Sequence, residues 1–211
     1  MPETAPAEAS PTADGRERDR RVLVAGIGNL FFTDDGFGPE AARQLARRTV
    51  PDGVRVTDYG IRGMHLSLDL LDGWDRLILL DLVPSRGRPG SVHVVEIDVV
   101  ACDEVVRRDS TQGADLGIFP RLAADAVGTA AQDPHSMAPH AVLATVVSLG
   151  GRLPPTVLVG CEPADIGEGL GLTPVVAAAV PAAVDAVLAL LCAAGPDLEP
   201  APAGVPTTGG H

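Results

Sequence analysis

Short apolar runs alternate with segments of helical spacing along most of this 211-residue chain, and that alternation restricts its fold more than any other feature. The run before Asn29 is continuously apolar and ends in glycines, as in a parallel strand buried on both faces. Residues 37–49 follow with Phe37, Ala41, Leu45 and Arg48 recurring at helical intervals. A second strand is expected over 54–59. Residues 64–71 read as a helix with Met64, Leu68 and Leu71 on one face, and a third buried strand begins at Leu77. Residues 91–97 alternate, which suits a strand nearer a sheet edge. Asp133-Pro134 puts a capping residue before a proline at the first helical position, so a helix is expected from there to about Leu149. Residues 156–162 form another apolar run, and Thr173-Pro174 repeats the cap-plus-proline start for a last helix. Repeated strand–helix units predict an α/β fold, a mostly parallel sheet with helices on both faces.

One domain is expected over residues 21–194. Residues 1–20 read as a disordered arm and 195–211 as a disordered tail, both rich in proline. Residues 98–132 are poorly patterned and read as a variable or mobile insert.

Aromatic residues are only 3% of the chain, so Val, Leu and Ala must form the core, and a base-stacking surface is not expected. The net charge of -12 disfavours nucleic acid and anionic membrane surfaces as partners. All 16 basic residues are arginines, which removes a Schiff-base lysine, a Ser-Lys dyad and a phosphate-loop lysine. The three cysteines, Cys102, Cys161 and Cys192, lie far apart, so neither a disulfide framework nor a structural zinc site is expected, and a cytoplasmic location is. Residues 1–19 lack the apolar segment of a signal peptide. The longest apolar stretch, residues 175–194, is interrupted by Pro181 and Asp185 and reads as a buried C-terminal helix.

In open parallel sheets the working site lies beyond the carboxyl ends of the strands. Asp34 and Asp35 follow the first strand, Asp81 closes the third, and His135 opens a helix. Asp34 reads as the cap of the helix that begins near Gly36. Two carboxylates and an imidazole form an oxygen/nitrogen ligand set suited to nickel or zinc, with a coordination position left open for water or a carbonyl. His65, His93 and His140 read as structural. Gly26-Ile27-Gly28 invites a nucleotide-binding reading, but the dinucleotide fingerprint fails at Phe31 and no Gly-Lys-Ser/Thr sequence exists.

Read together, these segments resemble the hydrogenase maturation endopeptidases. Gly26-Ile27-Gly28-Asn29 leading into Asp34-Asp35 and Gly38 is similar to that family's opening. Gly60-Ile61-Arg62-Gly63 falls at its glycine motif, Asp81 at its strand-end aspartate, Asp133-Pro134-His135 at its histidine segment, and Gly171-Leu172-Thr173-Pro174 at the start of its last helix. The resemblance spans residues 21–194. It implies a three-layer α/β/α sandwich and an endopeptidase that removes the C-terminal extension of a nickel–iron hydrogenase large-subunit precursor after nickel insertion. It also implies that Asp35, Asp81 and His135 are the catalytic and metal-contacting residues, and that nickel is supplied by the substrate, with no tightly bound cofactor in the resting enzyme. Gly60, Ile61, Arg62 and Gly63 are the expected contacts to the substrate peptide, although many members carry Thr where this chain has Ile61 and Arg62. A monomer is expected. The alternatives are a non-catalytic metal-binding or assembly module on the same fold, and a nucleotide-binding module.

Overall fold

The computed structural model describes residues 20–97 and 139–193. The elements in chain order are β1 (Val22–Ile27), a 3-10 turn (Thr33–Gly36), α1 (Phe37–Leu45), β2 (Val54–Gly60), α2 (Gly63–Leu70), β3 (Arg76–Leu82), β4 (Val92–Ile97), α3 (Pro139–Ser148), β5 (Thr156–Cys161) and α4 (Pro174–Ala193). They build one five-stranded sheet in the order β2-β1-β3-β5-β4. β1, β2, β3 and β5 run parallel, and β4 pairs antiparallel with β5 at the edge. The alternating pattern of residues 91–97 anticipates that edge position. The expected arm, insert and tail, the Asp133-Pro134 helix start, and Cys102 and His135 all lie outside the described residues.

Side-chain alternation divides the interior into two cores. Val22 and Val24 of β1, with Ile78 and Leu80 of β3, pack against Phe37, Ala41 and Leu45 of α1 and against α4. Leu23, Ala25 and Ile27, with Leu77 and Leu79, pack against Leu66 and Leu70 of α2 and against Val142, Leu143 and Val146 of α3. The result is the expected three-layer sandwich. α4 is long and apolar enough to cross a membrane. Here it is a core helix, burying Val176, Val180, Ala183, Val184 and Val187.

Two helices differ from their sequence pattern. α1 stops at Leu45 rather than Thr49, because Arg47 and Arg48 offer no apolar anchor and Pro51 disfavours helix in the residue before it. The chain leaves through a tight turn in which the Arg48 N–H donates to the Leu45 carbonyl at 2.8 Å. In α2 the stripe of Met64, Leu68 and Leu71 faces outward, with Met64 57% exposed. The buried face instead carries Gly63, Leu66, Ser67 and Leu70. Ser67 is tolerated there because its hydroxyl donates to the carbonyls of Gly63 and Val142, at 3.0 and 3.2 Å, so a polar residue occupies a core position without an unmet hydrogen bond.

α1 lies unusually close to the sheet. A β-carbon on Gly38 would collide with the backbone carbonyl oxygens of both Ile27 and Leu80, and one on Gly26 would meet the Gly38 carbonyl. That approach brings the turn before α1 down onto the carboxyl ends of β1 and β3. Gly38→Ala is therefore expected to lower stability by about 1–3 kcal/mol in chemical denaturation, the usual cost of overpacking against groups that cannot yield. An unchanged midpoint would contradict this contact.

Candidate active site

Connections from β1 lead to β2 on one side, while β3 and β5 lie on the other, so the sheet reverses direction between β1 and β3. Such a reversal leaves a crevice beyond the carboxyl ends of the two strands. Asp35 enters it from the turn after β1 and Asp81 from the end of β3. Alternation along β3 turns Asp81 toward the α2/α3 side, in line with Leu77 and Leu79.

The two carboxyls influence each other. Asp81 is buried, and its pKa is pushed well above the ordinary aspartate value by burial and then by the charge of Asp35. Among the described residues its one opposing contact is the Leu82 N–H, which donates to Oδ1 at 2.7 Å. Burial also raises Asp35, against a single N–H donated by Asn29 to Oδ2 at 2.8 Å. A carboxyl pair with so few donors among the described residues favours retention of a proton or binding of a cation.

Asp34, the neighbouring acid, has the opposite environment. It is fully buried, and its carboxylate accepts the N–H groups of Ala164 and Asp165 at 2.9 Å and of Thr173 at 2.7 Å, with the Thr173 hydroxyl at 3.0 Å. Burial alone would raise its pKa, but the donors from Asp165, Thr173 and Ala164 hold it below the ordinary value. This corrects the helix-cap reading. α1 has Gly36 at its N-cap and no side-chain cap, while Asp34 joins the β1–α1 turn to the loop before α4.

Glu162 is a second acid of this kind, and the sequence reading passed over it. Fully buried after β5, it accepts the N–H groups of Arg86 and Arg88, at 2.7 and 3.0 Å, and pairs with His93 Nε2 at 2.8 Å. The Arg86 donor, then Arg88 and His93, outweigh burial and lower its pKa to about 2. The available signal was a charged residue directly after an apolar run, the same signal that marked Asp81. His93 is structural, as expected, because it holds Glu162.

The glycine turn after β1 is not a phosphate cradle. Gly28 adopts φ +136, and a β-carbon there would strike the Asp35 carbonyl. Its N–H donates to the Gly60 carbonyl at 3.1 Å, and the next N–H serves Asp35. With those donors committed and a carboxylate beside them, a nucleotide phosphate would be repelled, which removes the nucleotide-binding alternative. At the Gly60–Gly63 turn Ile61 is 55% exposed. The Arg62 guanidinium folds back onto the carbonyls of Tyr59 and Asp58.

A cavity of about 410 Å³ lies between the 3-10 turn, α1 and the start of α4, lined by Leu30, Glu40, Arg43 and Leu172 among others. Neither Asp35 nor Asp81 lines it, so it is separate from the carboxyl pair. Among the described residues no three His, Cys, Asp or Glu side chains gather as a metal site. The structure thus joins Asp35 to Asp81 and leaves the third expected ligand, His135, outside the described residues.

The raised Asp81 pKa has a consequence for stability. An acid that holds its proton more tightly when folded contributes most below its unfolded value, near 3.8, and that contribution is lost as pH climbs toward the folded value. At pH 7, with chelator present, Asp81→Asn should therefore melt about 2 °C or more above the parent protein, the gap closing below about pH 4. An equal or lower Tm at pH 7 would show that the pair is not crowded.

No family model matches the chain. It is 31% identical over 170 residues to the hydrogenase expression/formation protein HupD of Bradyrhizobium diazoefficiens, covering 80% of this chain and 76% of that one. It is 30% identical over 182 residues to the hydrogenase 2 maturation protease of Escherichia coli, covering 85% and 96%. The solved structure of a hydrogenase 2 maturation peptidase from a Thaumarchaeota archaeon matches with a TM-score of 0.58 at 31% identity, covering 82% of this chain and 99% of that one. With these relatives and this sandwich, the chain belongs to the hydrogenase maturation endopeptidases.

Proposed function

We propose that this endopeptidase removes the C-terminal extension of a nickel–iron hydrogenase large-subunit precursor after nickel insertion, and that Asp35, Asp81 and His135 test for the nickel the substrate carries. The observation that carries this reading is the pairing of buried Asp81 with partly buried Asp35 at the sheet's switch point, short of donors among the described residues and raised in pKa. A divalent cation arriving with the precursor relieves the repulsion between the two carboxylates. Chain direction supports His135 as the third ligand. α3 leads into the start of parallel strand β5, so the end of α3 that follows His135 points toward the carboxyl edge of the sheet, and α3 packs on the face that Asp81 addresses.

The chemistry is hydrolysis of one peptide bond. Water would attack the scissile carbonyl, activated either by a cation held by Asp35, Asp81 and His135 or by one of the carboxylates, and the C–N bond would break as a proton reaches the leaving amine. A carboxyl with raised proton affinity is a better base than an ordinary one and suits the transfer of that proton. β2 is an edge strand ending in the Gly60–Gly63 turn, so an extended tail could add beside it, with the exposed Ile61 as an apolar contact. The Arg62 N–H already donates to the Tyr59 carbonyl and is not available to the tail. The same reading makes the protein a monomer that meets its precursor in the cytoplasm, a reducing compartment in keeping with the free thiols at Cys161 and Cys192.

The test is intact-mass measurement on nickel-loaded precursor. The wild-type chain should shorten it and leave nickel-free precursor whole. Asp35→Asn, Asp81→Asn and His135→Ala should each slow trimming about 100-fold or more. Undiminished trimming by both aspartate variants would sink the assignment, and an untouched precursor with wild-type protein would favour a non-catalytic assembly role.

A further inference from the structure

We infer that Asp34 is a positioning residue for this reaction, fixing the turn that carries Asp35 by clasping it to the loop before α4. The inference rests on the role proposed for Asp35.

No side chain caps the 3-10 turn or α1, and within the turn the Asp35 N–H donates to the Phe32 carbonyl at 2.9 Å and the Phe32 N–H to the Asn29 carbonyl at 3.1 Å. Thr33 takes φ +38, a left-handed conformation that a β-branched residue adopts only when its surroundings impose it. Those surroundings are the loop over residues 164–173. The Thr33 N–H donates to the Gly169 carbonyl at 3.1 Å, and its hydroxyl to the Asp165 carbonyl at 2.7 Å. The Gly169 N–H returns a bond to the Phe31 carbonyl at 2.9 Å. Asp34 is the centre of this clasp, because its one carboxylate gathers donors from both ends of the loop, Ala164 and Asp165 at one and Thr173 at the other. Thr173 directly precedes α4, so the clasp ties the turn to a helix buried in the core.

An amide in place of the carboxylate keeps the shape but turns an NH2 group toward at least one N–H donor. Asp34→Asn should therefore loosen the clasp and let Asp35 drift from the Asn29 N–H it now accepts. Two readouts test this in the full-length protein. Amide exchange at Asn29 should quicken about tenfold or more in Asp34→Asn, while exchange in β3 stays slow. Trimming of nickel-loaded precursor should lose about 10- to 100-fold in kcat with KM nearly unchanged, as for a small misplacement of a reacting group. A residue needed only for folding would reduce the amount of active protein instead. Should Asp34→Asn fail to fold, Thr173→Val removes the hydroxyl donor alone and should shift both readouts in the same direction by a smaller factor, with Thr173→Ser restoring them. Parental values of both readouts, or a fall in kcat with Asn29 still protected, overturn the inference. Asp35→Asn run in parallel separates the two claims. If that variant trims normally, the role of Asp35 fails, whereas Asn29 exchange in Asp34→Asn still reports whether the clasp holds the turn.

Discussion

The site depends on how few N–H donors from the described residues reach Asp35 and Asp81. Four buried or partly buried acids cluster near the carboxyl edge of the sheet, and the backbone serves them unequally. Asp34 and Glu162 each collect several donors and remain ionised, so they act as fixed anchors. Among the described residues Asp35 and Asp81 receive one N–H each, and they also repel one another. A buried carboxylate is stable in proportion to the donors it finds, so the first two brace the loops while the second two are left needing a positive charge.

That inequality follows from backbone geometry. Only because Gly26 and Gly38 lack β-carbons does α1 press onto β1 and β3, and this sets the 3-10 turn directly over the crevice. Two consecutive aspartates in that turn then face opposite ways, Asp34 toward the loop before α4 and Asp35 toward Asp81. The anchored acids and the poised acids also respond to pH with opposite sign. Asp34 and Glu162 stabilise the fold above their unfolded pKa values and lose that effect in acid, whereas Asp35 and Asp81 cost stability at neutral pH and regain it in acid.

Much of this was legible in the chain because strands buried on both faces leave an unbroken apolar signature. β1, β3 and β5 were readable from it, the edge position of β4 from its alternation, and Asp35 and Asp81 from the strand ends they follow. The features that escaped rest on partners distant in sequence. The donors to Asp34 lie 130 to 139 residues away, so no local pattern distinguishes its anchoring role from that of a cap. The outward stripe of α2 was misleading for a related reason. Ser67 takes a core position through the Val142 carbonyl of another helix, and a count of apolar residues places the buried face one step wrong.

On the reading proposed for this enzyme, the crowding of Asp35 against Asp81 also gives a reason for restraint before the substrate arrives. Asp81, with its raised proton affinity, is a weaker ligand for stray cations than an ordinary aspartate. A precursor presenting its cation alongside the scissile bond would supply the positive charge that the pair lacks and complete the site in one event. Discrimination then comes from the free energy of relieving the repulsion, which only a cation delivered at that position supplies. On that reading, adding donors to Asp35 or Asp81 would stabilise the resting fold and weaken the discrimination together.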